Sequence, residues 1–276
     1  MRVDAHQHYW RFDPVRDEWI TPEMSVLRRD FLPGDAAPLL AAAQIDGVVA
    51  VQADQSEAET DFLLSLAAQH DFIRGVVGWV DLRAPDLTDR LARWRDNRAL
   101  RGFRHIAQGE PDDFLARNDV VAGIAQLGRH GYSYDILIYP RQLAAAEQLV
   151  ARCPEVRFIV DHCAKPPIVS GELARWQRGL RQLASHPNVY CKLSGLVTEA
   201  SWIGWSDDDI FPALHAAAEA FGPERLIFGS DWPVCLLAAD YLGVIGVIER
   251  WATRLTAAER DLLFGGTAQQ AYQLEW

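Results

Sequence analysis

Short apolar runs alternate with stretches of helical periodicity along the whole chain. The runs are Val3–His8, Gly47–Ala53, Ile73–Val80, Gly102–Ile106, Tyr134–Tyr139, Val156–His162, Val189–Ser194 and Arg225–Asp231, eight in all. Between them apolar side chains recur at helical spacing: Phe62, Leu63 and Leu66; Leu87, Leu91 and Trp94; Val120, Val121, Ile124 and Leu127. Later come Leu173, Trp176, Leu180 and Leu183, then Ile210, Leu214 and Phe221. A run such as Gly47-Val48-Val49-Ala50-Val51 is apolar on both faces, which suits a parallel strand covered by helices on either side. The alternation predicts a closed (β/α)8 barrel of the TIM class, a single domain over residues 1–276. An open doubly wound sheet is the competing architecture, but no Gly-rich phosphate loop follows the first run. Helix punctuation agrees with the alternation: Gly131 follows a helical pattern ending near His130, and Thr256 with Glu259 makes a capping box for a closing helix.

Two connections are longer than their neighbours, and in a barrel both lie on the face formed by the strand C-termini. The first runs from Trp10 to Pro38 and contains Trp19 and Pro22; the second runs from Gly195 to Asp209 and contains Trp202, Trp205 and an acidic run. Long loops after strands build the active face of such a barrel. Any one of these tryptophans is expected to pack its loop onto the rim, yet aromatic walls also suit the apolar faces of sugar rings. Trp10 and Trp232, beside the tips of the first and last runs, are therefore counted as candidate substrate contacts.

Composition narrows the partners. Of 276 residues, 49% are hydrophobic, enough for a large core, while 27 basic against 38 acidic residues give a formal charge of −11. With no basic stripe or arm, nucleic acid and anionic membrane are excluded as expected partners. No segment approaches a transmembrane span, and Met1-Arg2 leads directly into the first run without a secretory apolar stretch. Cys153, Cys163, Cys191 and Cys235 are scattered, without a CxxC pair, so reduced thiols in a cytoplasm are the expectation.

The strand tips carry the candidate chemistry. His6 and His8 alternate onto one face of a strand and can close on one ion, although two histidines near an N-terminus are as often simply exposed. His162 ends the sixth run and Asp231 the last. A barrel brings these tips to one face, so three imidazoles and a carboxylate converge. Such a set holds a zinc or similar ion with a position left for water, or positions a water without metal. Gln52 closes the second run and is a candidate for a sugar hydroxyl, though a satisfied rim amide is the commoner fate. Lys192 shares a face with Ser194 and is drawn inward, where it needs an acid such as Asp4 or Asp135.

VDAHQHYW, GFRH, the run Phe158-Ile159-Val160-Asp161-His162 followed by Lys165-Pro166, CKLSGLVTEA and RLIFGSDWPVCLLA together resemble the lactonase branch of the amidohydrolase superfamily over the full chain. Within it the chain is most similar to the lactonases that open L-fuconolactone. The resemblance implies that His6, His8, His162 and Asp231 are active-site residues and that Arg104 and His105 are candidate lactone contacts. Those two point to opposite faces of an ideal strand, so either is open as the one that meets the site. The chain departs from the superfamily's two-metal pattern: no lysine ends the fourth run and no histidine the fifth, which offers Asp135 and Tyr139. At most one divalent ion is expected, zinc foremost, and metal-independent catalysis stays open. The expected function is hydrolysis of a sugar lactone, with Asp231 activating water and His162 assisting. The rival is a metal-dependent decarboxylase of an aromatic acid, and a sugar-binding barrel without turnover is the non-enzymatic reading.

Overall fold

The computed structural model describes residues 1–276. Each of the eight apolar runs coincides with a strand or most of one: β1 (Val3–Gln7), β2 (Gly47–Val51), β3 (Ile73–Gly78), β4 (Leu100–Ile106), β5 (Ser133–Leu137), β6 (Phe158–Val160), β7 (Val189–Leu193) and β8 (Leu226–Phe228). They form one parallel sheet in the order β1 to β8. The barrel is closed just beyond β8, where Asp231 N donates to His6 O (2.9 Å) and His8 N to Trp232 O (2.7 Å). Closure therefore sets the tip of the last strand beside the paired histidines of the first.

The helices lie outside: α1 (Pro33–Ala42), α2 (Glu57–Ala67), α3 (Leu87–Ala92), α4 (Asn118–Arg129), α5 (Leu143–Arg152), α6 (Leu173–Ala184), the short α7 (Leu196–Glu199), α8 (Asp207–Phe221), α9 (Tyr241–Ala252), α10 (Ala257–Asp261) and α11 (Thr267–Tyr272). Their apolar positions face the sheet. On α6, Trp176, Leu180 and Leu183 are buried, each contributing roughly 1.5–3 kcal/mol by removal from water. Gly131, at φ +82°, follows α4 in the left-handed conformation that stops the helix. Thr256 Oγ1 accepts from Glu259 N (3.3 Å) while Glu259 Oε2 accepts from Thr256 N (2.7 Å), completing the predicted box at α10. The first long connection ends sooner than its sequence suggests. Pro33 starts α1 and Asp35 caps Leu32 N (2.9 Å), leaving Pro38 inside the helix. The second contains α7.

Two apolar layers result. The larger lies between sheet and helices. The smaller fills the barrel with Val3, Ala5, Val49, Val51, Val77, Ile159, Tyr190 and Ile227, and the C-terminal Ala268, Ala271, Tyr272 and Leu274 join it. A Cβ on Gly75 would lie 2.9 Å from Leu274 and one on Gly47 2.7 Å from Trp276, so the C-terminus stoppers the barrel beneath the strand N-termini. The opposite end is left for chemistry. No helix is long and apolar enough to cross a membrane.

Candidate active site

The site begins with an irregularity in β1. Asp4 pairs with Val48 but Gln7 pairs with Ala50, so one extra residue is inserted between them. In a regular strand Val3 and Ala5 would share the interior with Gln7, and His6 and His8 would face outward. The bulge reverses that alternation. Ala5 stays in the interior layer while His6, and two residues later His8, turn toward the barrel axis; Gln7 instead bonds Asp4 and Tyr9. His6 Nε2 and His8 Nε2 come within 3.2 Å of each other. A Cβ on Gly229 would lie 2.7 Å from His6 Cβ, so only glycine in β8's extension admits the inserted histidine.

Asp231 follows at φ +61°. Its Oδ1 is 3.3 Å from His8 Nε2, 3.7 Å from His6 Nε2 and 3.9 Å from His162 Nε2. Burial works against its charge, but the facing His162, the close approach of His8 and the remaining imidazole outweigh it and hold the carboxyl below the ordinary carboxylate range. Burial also favours the neutral form of His6 and His162. His162 is pushed down to about 4, and His6, with Lys192 adding repulsion, well below its usual value.

His162 reaches this point through an unusual turn. His162, Cys163, Ala164 and Lys165 all have φ between 51° and 57°, a left-handed run without glycine. Each such residue costs roughly 1–2 kcal/mol. The surroundings fix it: Trp176 Nε1 donates to Cys163 O (2.7 Å), Cys163 Sγ to Lys192 O (3.3 Å), and Ser194 Oγ pairs with His162 Nδ1 (2.9 Å). Gly195, at φ +63°, completes the seat, since a Cβ there would lie 2.6 Å from His162 Nδ1.

Behind the histidines lies a charged network that sequence reasoning only partly found. Lys192 Nζ sits 2.6 Å from Asp135, 2.9 Å from Asp161 Oδ1 and 3.0 Å from His6 Nδ1. Asp135 is thus its partner, whereas the side chain of Asp4, in β1, is bound instead to Ser230 N and Tyr241. Asp161, which sequence reasoning left unassigned, holds Arg104 Nη1 at 2.9 Å and faces His6 Nδ1 at 3.3 Å. Its inward direction was readable from its alternation with Ile159. Burial raises Asp135 to about 6 against the pull of Lys192; burial also disfavours the Asp161 charge, but Lys192, His6 and Arg104 together drive it well down.

Of the other expected contacts, Arg104 and Trp10 line the cavity above this network, with His8, His162 and Asp231. Arg104 is held by Gln52, whose Oε1 accepts from Nη2 (2.9 Å) and whose backbone carbonyl accepts from the same group. Both Gln52 oxygens are therefore taken by Arg104, and the residue does not line the cavity. His105 is turned to the outside by strand alternation. It stacks on Phe114 at 4.8 Å, accepts from Trp79 Nε1 and donates to Glu110, a satisfied shell histidine away from the cavity. Trp232, one residue past inward-facing Asp231, likewise points out and packs edge-on against Phe31 (5.4 Å) and Tyr9. The cavity, about 480 Å³, is walled by Trp10, Trp19, Trp202, Met24, Leu137 and Leu237 and has Lys165 and Glu199 among its polar groups. Its size is that of a small-molecule site.

The donors fit a divalent ion. Neighbouring ligands of a tetrahedral zinc with bonds of about 2.0–2.1 Å stand about 3.3 Å apart, and His6 Nε2, His8 Nε2 and Asp231 Oδ1 are separated by 3.2, 3.3 and 3.7 Å. His8 Nδ1 must carry its proton to donate to Val51 O (2.8 Å), which frees Nε2 as a ligand. Charge agrees: Asp135, Asp161 and Asp231 face only Lys192 and Arg104 in the buried interior.

The amidohydrolase family model matches residues 3–274. The L-fucono-1,5-lactonase of Burkholderia multivorans is 48% identical over 286 residues, covering 99% of this chain and 96% of that protein. The L-fucono-1,5-lactonase of Burkholderia ambifaria is 37% identical over 281 residues, with the same coverages of 99% and 96%. Among solved structures, an amidohydrolase from Burkholderia multivorans with bound zinc is 48% identical and superposes with a TM-score of 0.96, covering 100% of both chains.

Proposed function

The chain belongs to the amidohydrolase family, and on that footing we propose that it hydrolyses a sugar lactone, L-fuconolactone or a stereochemical neighbour, to the free sugar acid. The observation that carries the reading is Asp231, a buried carboxylate within 3.3–3.9 Å of three imidazoles at the base of a cavity sized for a small ligand. Its walls join aromatic faces for a sugar ring with apolar patches such as Leu137 and Leu237 for a deoxy methyl group.

Asp231 is the proton carrier. It accepts the proton of the attacking water and returns it to the ring oxygen as the acyl C–O bond breaks. Arg104, clamped between Gln52 and Asp161, directs its guanidinium to the cavity base, where negative charge collects on the carbonyl oxygen. His162, neutral and oriented by Ser194, keeps the water in line with Asp231. His6, His8 and Asp231, with His162 as the fourth donor, would hold one zinc ion, which supplies Lewis-acid polarisation when bound. Reduced, buried Cys153, Cys163, Cys191 and Cys235 suit a cytoplasmic location.

The test is acid release followed by pH-stat on a panel of L- and D-sugar lactones, with carbon dioxide release from aromatic acids measured in parallel and metal content determined on the same sample. The reading expects lactone opening and up to one ion per chain. Carbon dioxide release without acid release would transfer the site to decarboxylation.

A further inference from the structure

We infer that Lys165 and Glu199 form the hydroxyl-reading pair of the cavity and determine which stereochemistry of polyol it accepts; this rests on the sugar-lactone reading above. Both side chains line the cavity, and their charged ends meet at 2.5 Å (Nζ to Oε1). Each is only partly covered, with side-chain exposures of 17% and 20%. Neither has another polar partner in the protein. The ammonium thus keeps two of its three N–H donors, and the carboxylate most of its acceptor sites, for a ligand. A sugar hydroxyl is donor and acceptor at once, and an adjacent Lys–Glu pair answers both roles in one place. Of the other lining groups away from the reacting centre, Trp10 Nε1, Trp202 Nε1 and Thr198 Oγ1 are bonded to backbone carbonyls, and Gln108 and Tyr139 add neutral polar groups, so that Lys165 and Glu199 are the charged pair of this wall.

The chain also spends structure on bringing the two together. Lys165 closes the left-handed run that begins at His162, so the turn that seats a reacting-centre imidazole also delivers the ammonium. Glu199 ends α7, which Gly195 allows to approach His162 without a Cβ in the way. An ion pair that keeps about a fifth of its surface in water gains only modest stability. The turn that seats His162 is strained on that account already, and its last residue places the ammonium on the cavity wall, where strained backbone at binding sites commonly sets functional groups.

The experiment compares Lys165→Met and Glu199→Gln with wild type on L-fuconolactone and on analogues inverted or deoxygenated at one hydroxyl, reading kcat, KM and Tm. Losing a charged hydrogen bond to a hydroxyl predicts a fall in kcat/KM of about 10- to 100-fold on the preferred lactone, carried mostly by KM, and a collapse of the preference over one analogue. The double variant Lys165→Met/Glu199→Gln leaves no unpaired charge and should show the same collapse with an unchanged fold. Unaltered preference in the folded variants, with or without a lower Tm, would make the pair a rim salt bridge and overturn the inference. A wild-type protein inert toward every lactone would instead fault the lactone reading, and this inference with it.

Discussion

Glu59 gives the account a test in which sign and size both follow from structure. It lies on α2, 7% exposed, and its Oε1 accepts from Ala53 N at 3.1 Å. Burial raises its carboxyl from 4.5 to about 7, with Asp54 adding to the rise while the Ala53 hydrogen bond and Arg16 oppose it. The folded state therefore binds a proton that the unfolded chain has already released. The stabilisation is complete below about pH 4.5, is lost as pH climbs toward about 7, and is absent above it. A rise of about 2.5 units corresponds to about 3 kcal/mol. Glu59→Gln is neutral at every pH and keeps an acceptor for Ala53 N. The variant should match wild type near pH 4.5 and exceed it by about 3 kcal/mol at pH 8, or about 5 °C in Tm for a chain of this length. Urea melts of both proteins at the two pH values measure it. A stability difference that stays constant between them would refute the reasoning and place Glu59 in contact with water.

Other perturbations divide chemistry from scaffold. Arg104→Met keeps the stem but removes the guanidinium, so kcat should fall by about 10²–10³ in a folded protein; unchanged turnover would return Arg104 to a structural role. His105→Gln should alter stability by about 1–2 kcal/mol through its lost contacts with Trp79, Glu110 and Phe114 and leave KM within about twofold. A large KM effect would contradict its outward placement. Lys192→Met leaves Asp135 and Asp161 without their shared cation and should cost about 3–5 kcal/mol by chemical denaturation; a neutral result would mean that those carboxyls are protonated in the fold.

The barrel was legible because its signals are local. All eight strands overlap runs recognisable by apolar content, β4 and β5 starting one or two residues earlier, and the shared faces of Leu87 with Leu91 or Leu180 with Leu183 are readable at helical spacing. The pattern was silent on α5, whose buried face mixes Ala145 and Ala146 with Leu143, Leu149 and Val150, and on α9, which is apolar nearly all round. At the site, strand tips located His6, His8, His162 and Asp231, but the alternation that put both histidines on one face does not by itself make that the inner face. The extra residue in β1 does so, and no residue type announces it. The same limit applies to His162: alternation sends it opposite to Asp161, and only the left-handed turn brings both to the site. Arg104 and His105 were separable in principle, since His105 shares a face with Phe103, a shell residue, and Arg104 with Gly102 inside. Gln52 and Trp232 were read from position along a strand, whereas side-chain direction one residue past an inward position decided their placement. Lys165 and Glu199 lie in connections, where sequence periodicity carries no direction.

Proton transfer by Asp231 is the central claim, and Asp231→Asn tests it most directly. Asn preserves size and can still bond His8, but it cannot accept the proton of water. Turnover of the preferred lactone and Tm should be measured on one preparation of known metal content. The account predicts a folded protein that still binds lactone while kcat falls by about 10²–10⁴. A destabilised Asp231→Asn protein with near wild-type kcat would contradict it, leaving the carboxylate as a structural anchor for the three imidazoles.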